Sequence, residues 1–361
     1  MNAVFEAAGS GTVTCDEPLA AQAWTQAAAL AFTHQLRAEL QGVGVFRGDT
    51  LGYWRRGMGT AALTLCAWAG LFVADGVVLG LAAALLAGYA GVQASAIAHE
   101  AGHGAVTRNS AWRWRIGRFF MTFGMGASYS AWVKRHGLHH QRPNSCDDPD
   151  LRPGLFRFNP VDAIAARGLA GWCTRHQHLL LLPASSLMGF SLKLAGWTHV
   201  LKNLSVERRD LFAMSAHLAV WIALPTLWVG LNQALLSYLL ITWIQGIYLA
   251  FVFLPNHLGS MTAEEAASWP PALQQIITTR NLPDTAILTH LCMGLNTHIE
   301  HHLFGHLPAT RLAEAREVTR RHCLSHGVPY AEVSLRKAFG ELQLFNRRIA
   351  SIAQEAYRLR R

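Results

Sequence analysis

The chain has 361 residues, 51% of them hydrophobic, with a mean hydropathy of +0.19 and a formal net charge of +9. That balance fits a protein with about half its mass in a bilayer and half in water. The six cysteines (Cys15, Cys66, Cys146, Cys173, Cys292 and Cys323) are scattered without a Cys-x-x-Cys pair, so nothing in them suggests a disulfide framework or a thiolate zinc site, and a reducing compartment is expected.

Residues 1–50 lack the basic start and apolar run of a signal peptide. Trp24, Ala28, Phe32, Leu36 and Leu40 recur at every fourth position and predict one amphipathic helix ending near Gly42 and Gly44. Two apolar runs follow, 57–74 and 77–98, each near the roughly 20 residues that cross a bilayer core. Only Asp75 and Gly76 separate them, so they predict a hairpin. A second hairpin is predicted from 211–231 and 234–254, joined by Asn232 and Gln233, with a kink expected at Pro225. The stretches 119–133 and 179–197 are apolar but interrupted by Gly, Ser, Pro or Lys, and are expected as helices at the interface or over the polar domain. After Pro308, 310–323 reads as a short charged helix. The stretch 332–361 reads as a long amphipathic one with Leu335, Phe339, Leu342, Ile349 and Ile352 inward.

The basic residues orient this arrangement. Fifteen Lys or Arg lie between Glu100 and Asp210, Arg47, Arg55 and Arg56 precede the first span, and neither hairpin connection carries one. By the positive-inside rule both termini and the 100–210 segment are cytoplasmic. Topology thus accounts for the positive charge, and no nucleic-acid partner is needed to explain it. The expected fold class is an all-α integral membrane protein: four transmembrane helices in two hairpins, under a cytoplasmic helical cap. A cytoplasmic segment over 1–56 precedes a membrane domain over 57–361.

The chemistry lies in histidines at helical spacing. His99 and His103 stand at i, i+4; His136, His139 and His140, and again His298, His301 and His302, stand at i, i+3, i+4. Such positions share one helix face, so the rings converge. These clusters hold eight of the eighteen histidines, and His257 follows the fourth span. The predicted topology puts all nine on one side of the membrane. Nine imidazoles suit two metals with four or five nitrogens each; imidazole alone does not name the metal. Zinc has no redox chemistry, whereas two irons that activate O2 can attack an unactivated C–H bond of an apolar substrate. Asn256 is a candidate to reach a metal through water. Glu100, Asp147, Asp150 and Glu300 are candidates to accept hydrogen bonds from ligand imidazoles. Trp132 is a candidate to line an acyl channel or to pack.

His99-Glu-Ala-Gly-His103, His136-Gly-Leu-His139-His140 and His298-Ile-Glu-His301-His302 resemble the three histidine boxes of the membrane fatty-acid desaturases. Box order, spacing and span placement agree from the first span to the chain end. Asn256-His257 resembles the family's extra ligand position. Asp148-Pro-Asp150 and His326-Gly-Val-Pro-Tyr330 are similar to its bacterial acyl-lipid branch. The third box starts with His298 where that branch often has Gln, and Gly305 stands where it usually has Pro. The resemblance implies a di-iron site, O2 as oxidant, and an acyl chain carried on lipid, CoA or acyl carrier protein. Electrons would come from a donor such as ferredoxin with its reductase, and the location would be a bacterial inner membrane. No His-Pro-Gly-Gly haem motif is present, so a separate donor is expected. Hydroxylases, acetylenases and carotenoid-modifying enzymes carry the same boxes.

His99-Glu100-Ala-Gly-His103 also fits the His-Glu-x-x-His helix of zinc metalloproteases, a reading that leaves the other clusters without a role. A metal transporter or bis-histidine haem protein is the non-enzyme alternative. His34, His176, His178, His199, His290, His306, His322 and His326 lack cluster spacing, and His217 is expected to hydrogen-bond between helices.

Overall fold

The computed structural model describes residues 24–73, 76–151 and 154–360. The expectations for 1–23, with Cys15, and for the Ala74–Asp75 junction and Arg361 lie outside the described residues. Helix α1 (Gln26–Gly42) is capped by Thr25, whose Oγ1 accepts the Ala28 amide at 3.1 Å. Its buried stripe is Ala29, Phe32, Leu36 and Leu40. Trp24 packs partly buried against the same core, and the second predicted position moves from Ala28 to Ala29, because repeated steps of four overrun the period of about 3.6.

Helices α2 (Thr50–Val73) and α3 (Val77–His103) form the first membrane pair. Val73, Val77 and Val78 are 79%, 86% and 80% exposed. A hairpin in a soluble core would hide such residues, whereas lipid accommodates them. Helix α3 has 27 residues; at about 1.5 Å per residue it is longer than a hydrocarbon core of about 30 Å. It is buried without a break from Ala90 to Ala101, so one helix both crosses the membrane and presents His99 and His103 beyond the apolar run.

Helix α4 (Ser110–Gly117) runs into a π-helical segment, Arg118–Met125, before α5 (Tyr129–Gln141). The predicted 119–133 helix is thus two pieces, with Met121, Thr122 and Met125 buried. After α6 (Pro160–Ala165) and α7 (Gly168–Arg175) come α8 (Gln177–Ser185) and α9 (Met188–Lys202). These meet at 71° and together are apolar enough for a bent span or a re-entrant loop, so the predicted 179–197 helix is two pieces. Helix α9 presses on the fourth span through glycine: a Cβ on Gly189 would lie 2.3 Å from the Thr242 carbonyl oxygen.

The third span comprises α10 (Arg208–Leu218), a π-helical turn at Ala219–Ala223 and α11 (Leu224–Val229). Pro225 supplies no amide hydrogen and its ring crowds the preceding turn, which widens so that the Leu224 amide bonds to the Ala219 carbonyl. Helix α12 (Leu231–His257) is the fourth span and ends on His257.

The remaining helices are α13 (Pro271–Ile277), α14 (Ala286–Leu291), α15 (His298–Leu303), α16 (Leu312–Ser325) and α17 (Leu335–Arg358). Phe32 and Leu36 of α1, Leu273 and Ile276 of α13, Ile299 of α15 and Leu312 of α16 share one buried apolar cluster, which seats the third histidine cluster. Along α17, Leu342 and Ile349 are buried as predicted, while Leu335, Phe339 and Ile352 are half-buried. The architecture is all-α, with four membrane-length apolar helices.

Candidate metal centre

The three histidine clusters and His257 meet where α3 and α12 end. His99, His103, His136 and His301 form one set, and His139, His257, His298 and His302 another; within each, one nitrogen per ring lies within 4.8 Å of the others. His140 sits between the sets, its Nε2 3.0 Å from that of His136 and its ring stacked on His302 at 4.3 Å. All nine predicted histidines are brought together.

Local hydrogen bonds aim these rings. Asp210, at the start of α10, accepts from the Ser130 amide at 3.0 Å and from Ser128 Oγ at 2.7 Å, which fixes the start of α5 and hence the second cluster. In α15, Asn281 Oδ1 accepts the Ile299 amide at 2.9 Å and so caps a helix whose own N-cap, Thr297, makes no side-chain bond. Gln275 ties two clusters together: its amide donates to the His140 carbonyl at 3.0 Å and its oxygen faces His302 Nδ1 at 3.3 Å.

Those partners also assign the protons. His139 Nδ1 faces Asp148 Oδ2 at 2.8 Å, His257 Nδ1 faces the Thr278 carbonyl at 3.3 Å, and His302 Nδ1 faces Gln275. Each acceptor places a hydrogen on Nδ1 and leaves a lone pair on Nε2. Yet the Nε2 atoms of His257 and His302 are 3.0 Å apart, and His298 Nε2 is 2.9 Å from His257 Nε2. Facing lone pairs at this distance repel unless a cation lies between them. A metal–nitrogen bond of about 2.1 Å sets neighbouring ligands about 3.0 Å apart at a right angle. The buried Nε2 atoms of His99 and His301 have no hydrogen-bond partner among the described residues. The donor set therefore fits metal ions.

Burial, reinforced by the surrounding imidazoles, holds His136, His140, His298, His301 and His302 below the usual histidine range, which keeps them neutral and able to ligate. Burial pushes His139 the same way, but Asp148 and Asp150 outweigh it and its pKa is raised.

The candidate acceptors divide. Glu100 Oε1 faces His99 Nδ1 at 3.3 Å, while its Oε2 accepts from Tyr53 Oη at 2.7 Å and from the Ala309 amide at 2.9 Å. Asp150 lies 3.7 Å from His139 and pairs with Arg135. Asp147 is instead exposed beside Arg142, and its neighbour Asp148 takes the imidazole. The reason is a turn at Asn144 (φ 56), whose amide donates to Asp148 Oδ2 at 2.9 Å. Glu300 accepts from Asn281 and from Tyr330 Oη, both at 2.8 Å, and from no imidazole, because it lies on the far face of α15. Asn256 Nδ2 donates to the Val252 carbonyl at 2.9 Å and lies 3.5 Å from His298; its buried Oδ1 has no partner among the described residues. Gly305 leaves room for the His103 ring, since a Cβ there would lie 2.7 Å from His103 Nδ1.

Trp132 stacks on His136 at 4.5 Å and lines a narrow cavity of ≈ 100 Å³ that starts at His99. Met121, Met125, Leu249, Phe253 and Met293 make that cavity mainly apolar. His217 bridges helices as expected, with Nδ1 2.7 Å from the Phe123 carbonyl and Nε2 3.2 Å from Tyr238 Oη. His322 contacts Glu39 and the Phe32 carbonyl, and His290 contacts Tyr89. Sequence reasoning missed Tyr53, Asn281, Gln275 and Thr278, which carry no pattern near the boxes.

Residues 76–334 match the family model described as fatty acid desaturase. The chain is 30% identical over 258 residues to the acyl-lipid (7-3)-desaturase of Diacronema lutheri, covering 65% of this chain and 55% of that protein. It is 26% identical over 275 residues to the fatty acid desaturase 2-like protein FADS2B of Mus musculus, covering 73% and 55%. Against the delta(6)-fatty-acid desaturase fat-3 of Caenorhabditis elegans it is 27% identical over 251 residues, covering 65% and 56%. The chain spans about half the length of the curated relatives it matches. All nine histidines fall within the matched residues, whereas Tyr53 precedes them.

Proposed function

The chain belongs to the fatty acid desaturase family, and on that premise we propose that it is an O2-dependent membrane desaturase that introduces a double bond into a fatty acyl chain. The observation that carries this reading is the convergence of nine imidazoles, one of which, His99, lines a narrow apolar cavity. Two irons would be held by His99, His103, His136 and His301 and by His139, His257, His298 and His302, with His140 between. Bound there, they would supply the oxidising power to remove two hydrogens from neighbouring carbons.

The chain's own residues do the rest. Trp132, Met125, Leu249 and Phe253 give the acyl tail a dry path to His99. Asp148, Gln275 and the Thr278 carbonyl hold protons on Nδ1 and keep each Nε2 directed inward. Asn256 Oδ1, which has no partner among the described residues, is free beside His298 to accept a hydrogen bond from a water. Glu100 does not serve as the general base of a zinc protease, because Tyr53 and the Ala309 amide occupy the oxygen that does not face His99. The proposed domain covers 57–361, with both termini and the metal centre on the cytoplasmic side of a bacterial inner membrane. There the basic surface suits an acidic electron carrier such as a ferredoxin with its reductase.

Expression in a host lacking desaturases, with lipids read by mass spectrometry, tests the assignment. A new double bond that requires air is expected. A product that forms without O2, or cleaved peptide in place of modified lipid, overturns it.

A further inference from the structure

A large cavity lies away from the metal centre, between α4 with the π-helical segment Arg118–Met125 on one side and α10 on the other. It is an open groove of ≈ 1020 Å³. Two bonds show that its walls run in the same direction: Arg118 Nε donates to Asp210 Oδ1 at 2.6 Å at one end, and His217 Nδ1 meets the Phe123 carbonyl at 2.7 Å at the other. Both walls therefore change character together. Arg115, Arg118 and Arg209 stand at the first end; Phe119 and Phe212 come next; Phe123, Ala213 and Ala216 line the far end. Arg209, Phe212, Ala213 and Ala216 follow the i, i+3, i+4, i+7 spacing of one helix face. The basic end coincides with the start of the third membrane-length helix, Arg208–Val229, the level at which lipid phosphates lie.

Arg118 is neutralised by Asp210, but Arg115 and Arg209 are exposed and have no carboxylate partner among the described residues. Two unneutralised guanidiniums above an aromatic, then small-residue, channel match the order of an anionic phospholipid: phosphate first, acyl chain below. Phe212 is 76% exposed and forms an open wall on the lipid side. We propose that this groove binds one anionic phospholipid, with its phosphate between Arg115 and Arg209 and an acyl chain along Phe119, Phe123 and Ala216. The same π-helical segment turns Met121 and Met125 to the cavity at His99, so the bound lipid supports the outer side of that cavity's wall without entering it.

The test uses the full chain in detergent, with bound lipid counted by native mass spectrometry during titration. Dihexanoyl phosphatidylglycerol is compared with dihexanoyl phosphatidylcholine and with glycerol 3-phosphate, on wild type, Arg115→Gln/Arg209→Gln and Phe212→Gln. All three substituted side chains are exposed, and retained metal content reports folding. One phosphatidylglycerol per chain is expected, held at least roughly tenfold more tightly than the zwitterionic lipid and weakened by roughly thirtyfold in the double variant. Phe212→Gln should weaken it through the chain contact alone. Equal binding of both lipids, or a double variant matching wild type, reduces the groove to ordinary annular contact and overturns the proposal. Glycerol 3-phosphate binding as tightly as the lipid, or no effect of Phe212→Gln, overturns it in favour of a simple anion site.

Discussion

Replacing Gly305 by Ala isolates the role of one ligand position without deleting a ligand. The new Cβ would stand 2.7 Å from His103 Nδ1 and 3.2 Å from Cε1, where ordinary contact begins at 3.4 Å, so ring or loop must yield by 0.7 Å (3.4 − 2.7). His103 has little room to turn: its Nε2 is 2.9 Å from His136 Nε2, and the rings of His99, His140 and His301 lie 4.8, 4.5 and 4.7 Å away. Overpacking of this kind costs about 1–3 kcal/mol, and a ligand displaced by a large part of an ångström lowers turnover by about tenfold to a hundredfold. Iron should fall from two per chain toward one, because the three atoms nearest the new Cβ all belong to His103 of the first set. Gly137→Ala is the control. It lies within the second cluster, yet its Cβ would meet nothing within 4 Å, and helix propensity favours Ala by about 1 kcal/mol. Iron per chain, turnover and thermal midpoint are measured for both. A Gly305→Ala protein with two irons and full turnover, or a Gly137→Ala protein equally impaired, refutes the reasoning.

His139→Ala or His301→Ala should abolish turnover, whereas His34→Ala or His178→Ala should keep most of it; equal damage would dissolve the division between ligands and bystanders. Asp148→Asn should lower metal affinity by about 10–100-fold while leaving the first set loaded, read by metal titration. Acid should destabilise the metal-free protein. Five imidazoles (His136, His140, His298, His301 and His302) have folded pKa values below the unfolded value of 6.5, so the unfolded chain binds more protons once pH falls below 6.5. Each such imidazole loses at most about 1.4 kcal/mol per pH unit below that value, while raised His139 opposes the trend. A thermal midpoint as high at pH 5.5 as at pH 7.5 would contradict this. Reporter fusions after residue 50, near residue 160 and at the C-terminus should report cytoplasm, and insertions at Asp75 and Asn232 the opposite side; a C-terminus found outside would separate the metal ligands.

What the sequence made legible was local and periodic. The four spans follow from uninterrupted apolar runs, and the convergence of His136, His139 and His140, or of His298, His301 and His302, follows from helical spacing. The bent pair α8–α9 was harder to read, because Pro183 and the Ser185–Ser186 pair resemble interruptions of an interfacial helix as much as a bend between two halves of a span. The π-helical segment at Arg118–Met125 has no periodic signature at all. It is recognisable only from carbonyls that skip a residue, such as Met121 bonding the Gly126 amide.

The groups around the ligands separate into those a helical wheel could have placed and those it could not. Glu300 stands two positions from both His298 and His302, about 200° around the helix, so it faces away from those two rings, with His301 about 100° to its side. Asn281 and Tyr330 meet it on that far side, and helix geometry alone argued against it as a partner for an imidazole. Asp147, Asp148 and Asp150 differ in kind, because they follow α5 in irregular chain where no period applies. Asp148 is chosen by the left-handed turn at Asn144, whose amide binds Asp148 Oδ2 and whose side chain reaches the carbonyls of His257 and Met261. The hydrogen bond that orients His139 is therefore set by the end of α12, more than a hundred residues away in sequence. Choosing among three neighbouring aspartates required the tertiary contact itself.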